Sequence, residues 1–342
     1  MNKKQKNIML LFALLLLIAA VFSALSGAVN VSFSTLYLLF GVEPEGNQLQ
    51  QLAVLTNIRF PRIALAILVG TSLSVSGAAV QGLFRNPLAD PSLIGITAGA
   101  ALFAAFYIIL VADNISFLPE FLQHISLSIF AFVGAALATI FVFKIGKVNG
   151  KTVVAIMLLA GIAINALAGA LNGLMVYIAS DEQLRSLTFW TLGSLAGANW
   201  GQVLFFLPIS LVSTYFLYTT RNALNALSLG ESQAFHVGID VDQLNRKIIF
   251  FSAVAVGSAV ALTGAIGFVG LVVPHFFRMI GGANHNFILP ASMLGGGFLL
   301  LLADTISRII IIPAELPIGI ITALIGAPFF LFIMIKNKKS HA

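Results

Sequence analysis

Apolar residues run along this chain in long blocks, not in alternation with polar ones. The blocks fall at about 8–27, 60–82, 93–112, 125–143, 153–178, 200–219, 248–266, 267–281, 287–307 and 317–335. A helix needs about 20 apolar residues to cross the hydrocarbon of a bilayer, and most of the blocks reach or approach that length. Blocks that are apolar all round leave no face for water, so they are read as membrane spans. Ten such blocks predict an all-α integral membrane protein of about ten transmembrane helices, with residues 1–342 as a single membrane domain. An even number of spans places both termini on one side. The first block follows Lys3, Lys4 and Lys6 and runs from Ile8 to about Leu25. It is longer than the 7–15 apolar residues of a secretory signal and is read as a retained first span.

The polar punctuation carries further information. Proline interrupts the pattern at Arg85-Asn86-Pro87-Leu88-Ala89-Asp90-Pro91 and at Val273-Pro274-His275. Breaks at membrane depth are tolerated where they line a cavity or are buried in protein. Small residues recur inside the blocks, as at Ala160-Gly161, Gly169-Ala170 and Gly295-Gly296-Gly297, and predict close helix packing. The stretch from Val69 to Ala78 resembles the stretch from Val256 to Ala265, five blocks further on. Five is odd, so the two copies would cross the membrane in opposite directions, with repeat halves of roughly 1–185 and 186–342. Inverted repeats of this kind mark transporters. Chance recurrence of small residues is the competing reading.

Composition agrees with the pattern. The chain is 59% hydrophobic and 9% charged, with mean hydropathy +1.02, whereas a soluble domain carries about 25% charged residues. There is no cysteine, which excludes disulfides, thiolate metal sites and a cysteine nucleophile. The net charge of +6 is not a nucleic-acid signature, because the basic residues sit in short clusters between apolar blocks.

Their sidedness sets the orientation. Lys3, Lys4, Lys6, Arg85, Lys144, Lys147, Lys151, Arg221, Arg246, Lys247, Arg278, Lys336, Lys338 and Lys339 fall on one side, 14 of the 18 basic residues. That side is read as cytoplasmic by the positive-inside rule, with both termini there. Eight of the 12 acids fall outside: Glu43, Glu45, Asp113, Glu120, Asp181, Glu182, Asp304 and Glu315. So do Arg59, Arg62, Arg185 and Arg308, which break the bias. Snorkelling to the interface suits Arg185. It suits Arg59 and Arg62 less well, because two like charges share a short segment. Exposure on the outer face is therefore expected for Arg59, Arg62 and Arg308.

Four segments together resemble the FecCD-type permeases, the membrane subunits of ABC importers for iron-siderophores, heme and cobalamin. They are Arg59-Phe60-Pro61-Arg62; Gly77 to Pro91; Gly264 to His275; and Ala303-Asp304-Thr305-Ile306-Ser307-Arg308 with Glu315-Leu316-Pro317-Ile318-Gly319. The resemblance covers nearly the whole chain. It implies a cobalamin-permease-like, type II importer fold and a bacterial cytoplasmic (inner) membrane location. It also implies a homodimer with one path at its axis, two cytoplasmic ATP-binding subunits, and an extracytoplasmic substrate-binding protein, periplasmic or lipid-anchored. No GxxxxGK[ST] phosphate loop is present, so ATP hydrolysis belongs to a separate polypeptide and this chain is non-catalytic. The resemblance further implies that Arg59, Arg62 and Arg308 dock the binding protein, with a structural role for Arg59 as the alternative. Within the polar stretch 221–247, Leu229, Gly230, Glu231, Ala234 and Gly238 match the family's coupling-helix motif. They are expected to join ATPase closure to helix tilting.

The cargo is expected to be heme, with ferric siderophore and cobalamin as alternatives. The stretch Ser180 to Leu195 resembles heme permeases, and it should lie at the outer mouth of the path. There Phe189 and Trp190 could offer flat apolar faces and Arg185 could meet a propionate. Alternatively Trp190 is an interfacial anchor and Arg185 pairs with Asp181 or Glu182. His124, His236, His275, His285 and His341 form no metal-spaced pair, and no cofactor or resident metal is expected. An ion-coupled secondary transporter is the rival of another class. It would want ionisable groups at mid-membrane, where the charges here are scarce.

Overall fold

The computed structural model describes residues 1–27, 29, 31–40, 46–115, 119–312 and 314–340. Glu43, Glu45 and His341 lie outside these residues, as do the side chains of Glu120, His124, Lys336, Lys338 and Lys339.

All ten apolar blocks carry a helix. Among the described residues, eight helical segments are long and apolar enough to span a membrane. Along the chain, α1 (Lys3–Leu25) is followed by a rod built of α2 (Gln48–Val54), a π turn (Leu55–Arg59) and α3 (Phe60–Leu83). Next come α4 (Ile96–Phe106), α5 (Glu120–Ile145), a small hairpin of β1 (Lys147–Val148) and β2 (Lys151–Thr152), and α6 (Val154–Ile178). Then α7 (Asp181–Leu192) precedes α8 (Trp200–Thr219), α9 (Arg221–Leu227), α10 (Glu231–His236) and α11 (Val241–Thr263). The chain ends in α12 (Val269–Gly281), α13 (His285–Ile309) and α14 (Ile318–Ser340). The two shorter apolar helices are α12 and Ile318–Phe332 of α14.

Two boundaries differ from the apolar pattern. Residues 48–59 prolong the third helix backwards, although they are partly polar. The stretch 221–247 is mostly helical: it holds α9, α10 and the start of α11, whose first turn is capped by the Asp240 carboxylate accepting from the Gln243 N–H at 2.9 Å.

The rod Gln48–Leu83 is the centre of the molecule. Its apolar window is 72% buried, against 17% for α1, the most apolar helix. The reason is residue size. A Cβ at Gly70 would collide with the Gly296 carbonyl, and one at Gly77 with the Gly270 carbonyl. Glycine at these two positions lets α3 lie backbone to backbone against α13 and α12. Polar side chains then join helices inside the bundle: Thr71 Oγ1 donates to the Met293 carbonyl at 3.0 Å, and the Ser72 and Ser210 hydroxyls pair at 2.8 Å.

Helix α1 packs along α13 and leaves its other faces largely exposed. Gln5 Nε2 donates to the Gly281 carbonyl at 2.8 Å, and the Phe12 ring meets Phe276, Phe277 and Phe298 edge-on. Its carboxyl end is fixed as described below. Residues 264–268 are non-helical, and neighbours satisfy backbone groups around this break. Ser194 N–H donates to the Thr263 carbonyl at 2.7 Å, and Ile318 N–H to the Gly193 carbonyl at 3.0 Å.

Candidate functional site

The two ends of the bundle differ in chemistry. At the end where α1 finishes, Arg59, Arg62, Asp304, Arg308 and Glu315 gather. Proline organises the approach. The Pro61 ring would crowd the Asn57 carbonyl in a regular helix, and the π turn Leu55–Arg59 directly ahead widens the ladder there. Arg59 and Arg62, three residues apart, then share a face. Asp304 and Arg308, four apart on α13, share another.

The expectation that these arginines are exposed is corrected. Arg59, Arg62 and Arg308 are 4%, 5% and 7% exposed. Arg62 Nε donates to Asp304 Oδ1 at 2.9 Å, Nη2 reaches the same oxygen at 2.9 Å, and Nη1 lies 2.9 Å from Glu315 Oε2. Arg308 Nε lies 3.3 Å from Asp304 Oδ2, while Nη1 donates to the Ser26 carbonyl and Nη2 to the Ser23 carbonyl and hydroxyl. Arg59 donates to the carbonyls of Ala24 and Val29. Two arginines thus cap the carboxyl end of α1, whose last carbonyls have no partner within the helix. The physical cause of burial is this set of acceptors: a guanidinium enters an apolar interior only when its N–H groups are met. The partnership of Asp304 with Arg308 was visible as an i, i+4 pair. The main-chain acceptors on α1 had no sequence signal.

At the opposite end, α9 and α10 lie beyond α8. Gly230 at φ +121° and Gly238 at φ +83° bracket α10 in conformations that a side chain strains. Ala234 is fully buried beneath α10, so it faces the bundle and not the surface. Leu229, Phe235 and Val237 are 76%, 74% and 68% exposed. Leu229 belonged to the expected motif. Phe235 and Val237 were missed, and their signal was apolar residues inside a polar stretch. Glu231 pairs with Arg85 at 3.4 Å, tying α10 to the loop after α3. Asp242 Oδ1 accepts from the Thr152 N–H at 2.8 Å and fixes the hairpin beside α11. Between hairpin and α10 an open groove of about 640 Å³ is lined by Lys151, Thr152, Glu231, Phe235, Gly238 and Asp242.

The third expected set lies on α7. A capping box at Ser180 and Gln183 starts this helix, and Asp181 and Glu182 follow in its first turn. Arg185 makes no ion pair with Asp181 or Glu182; its guanidinium lies 5.8 Å from the Phe189 ring centroid. Phe189 is 51% exposed. Trp190 is partly buried and packs against the core, so its faces are not free. Phe189 and Arg185 therefore remain as accessible groups of the three.

The FecCD transport family profile matches residues 15–336. The hemin transport system permease protein HmuU of Yersinia pestis is 41% identical over 342 residues, covering 100% of this chain and 99% of that protein. The cobalamin import system permease protein BtuC of Halobacterium salinarum is 41% identical over 297 residues, covering 87% of this chain and 76% of that one. A solved inward-facing structure of a metal-chelate type ABC transporter superposes with a TM-score of 0.81 at 36% identity, covering 97% of this chain and 99% of that one. The chain belongs to the FecCD transport family and is a multi-pass, non-catalytic membrane permease subunit of an ABC importer.

Proposed function

We propose that this permease moves heme inward across the cytoplasmic membrane by alternating access, as a homodimer energised by two cytoplasmic ATP-binding subunits. The observation that carries the cargo reading is likeness to a hemin permease over 100% of this chain and 99% of that protein. The Arg185–Phe189 pair on α7 supports it, because an exposed ring beside a guanidinium suits a flat macrocycle bearing carboxylates. Cobalamin is the second reading, favoured by equal identity to the cobalamin permease over a shorter stretch. A ferric siderophore is the third cargo, on the family's range alone.

In this reading the end bearing Leu229, Phe235 and Val237 faces the cytoplasm, as do both termini. That orientation rests on the basic residues of the loops. The exposed apolar side chains of the α10 region seat on the ATPase. Leu229, Gly230, Glu231, Ala234 and Gly238 give that segment its shape, and Arg85 and Glu231 tie it to α3. The end bearing Arg59, Arg62 and Arg308 faces outward and receives the binding protein. Within the cluster three cations face two carboxylates, a local excess of one positive charge that favours a carboxylate of the partner over a cation.

Transport decides the cargo. Vesicles holding this permease and its ATPase, with ATP inside and the binding protein outside, are offered heme, a ferric siderophore and cobalamin in turn. ATP-dependent uptake of heme is expected. Uptake of cobalamin or siderophore without heme overturns the cargo assignment.

A further inference from the structure

The outer cluster presents a difficulty for docking: each of its three guanidiniums already has internal partners. The partners are not equivalent. Arg59 and Arg308 donate to main-chain carbonyls at the end of α1, and these cannot leave without shifting that helix. Asp304 has a side chain 1% exposed, on the buried face of α13 between Arg62 and Arg308. Glu315 differs from all of these. Its side chain is 38% exposed, it lies in the connection between α13 and α14, and it meets Arg62 Nη1 with both oxygens, at 3.0 and 2.9 Å.

Resting on the proposed docking role of this end, we infer that Glu315 is an exchangeable occupant of Arg62. It holds the position that a carboxylate of the incoming binding protein takes. The exchange is balanced in hydrogen bonds, because one carboxylate replaces another on Nη1 while Asp304 keeps Nε and Nη2. Released Glu315 turns to water, which its exposure permits. Until it leaves, its charge repels the approaching carboxylate. Glu315 thus keeps Arg62 aligned in the free transporter and lowers the affinity of a partner whose carboxylate must displace it.

A purely structural role is the competing account, and the connection does not need one. Leu316 N–H donates to the Ser307 carbonyl at 3.1 Å and Ile318 N–H to the Gly193 carbonyl at 3.0 Å, which fix the chain on the far side of Glu315. Asp304 alone holds the Nε–Nη2 edge of the Arg62 guanidinium.

The test measures affinity between the complete transporter in lipid nanodiscs and a labelled, cargo-free copy of its own binding protein. Glu315→Gln is expected to bind about threefold to fivefold more tightly than wild type, the size of one partly exposed charge contact. The gain should shrink at high salt. Arg62→Gln is expected to weaken binding and to remove the gain when combined with Glu315→Gln. Glu315→Ser, which removes the carboxylate without bulk, is held to the same outcome. Unchanged or weaker binding in both Glu315 variants, with Arg62→Gln still weakening it, overturns the exchange and leaves docking intact. No effect of Arg62→Gln overturns docking and the exchange together.

Discussion

The arginine end and the α10 end of this bundle solve opposite problems. At the first, charged groups are pulled inside and met almost entirely within the chain. At the second, apolar groups are held outside and, among the described residues, are left largely uncovered. Arg62 is 5% exposed and Phe235 is 74% exposed, the reverse of what polarity alone dictates. A buried guanidinium is a closed account of donors and acceptors, so its first effect is on the fold. An exposed apolar side chain on a short helix contributes little to the fold, so its presence points to a partner. The same residue classes that make a membrane domain stable are thus used at one end to fasten it and at the other to present it.

The largest effect expected from breaking this contrast is at Asp304. Asp304→Ala leaves Arg62 and Arg308 buried with one partly exposed carboxylate between them, a loss of about 3–5 kcal/mol. The thermal midpoint in detergent should fall steeply. A midpoint unchanged within error would mean that the cluster is not a fastening. Next comes Phe235→Asp, which should leave that midpoint unchanged and weaken association with the ATPase by about 2 kcal/mol or more, the range of an interface anchor. Co-purification of the subunits at full yield would remove Phe235 from the interface. Ala234→Leu forces bulk into a closed space beneath α10 and should cost about 1–3 kcal/mol. Because Ala234 points inward, both stability and ATPase association should fall, unlike the result at Phe235. The smallest effect is at the exposed Arg85–Glu231 pair. Arg85→Ala should change stability by less than about 1 kcal/mol. If the pair conveys motion, the charge-swapped double variant restores transport that each single reversal lowers; equal transport in all of them would show that it does not.

Much of this was legible in the apolar pattern. Every block became a helix, because a continuous apolar run in lipid satisfies its own backbone groups within itself as a helix, whereas a barrel strand would alternate. Gly161, Gly295 and Gly296 were legible as packing sites and have close neighbours, whereas Gly169, read the same way, meets nothing within 4 Å. The rod's extension to Gln48 was not, because polar residues at a membrane boundary can be loop or helix with equal ease. The burial of the arginines was not legible either. For Arg59 and Arg308 the main acceptors are carbonyls of Ser23, Ala24, Ser26 and Val29, and every residue has a carbonyl, so the sequence carries no mark of which ones are free. The inward direction of Ala234 was equally hidden, since a small residue in a short helix fits either face.

The sequence by itself determined the solvent, the apolar blocks and their helical form, and the family motifs. These depend on composition and on neighbours along the chain, where the physics is local. Only the tertiary structure decided which charges are consumed. Whether an arginine is an open hand or a closed clasp depends on the distance to groups on another helix. For Arg62 those groups are Asp304 and Glu315, and the packing of α3 against α13 brings them within reach.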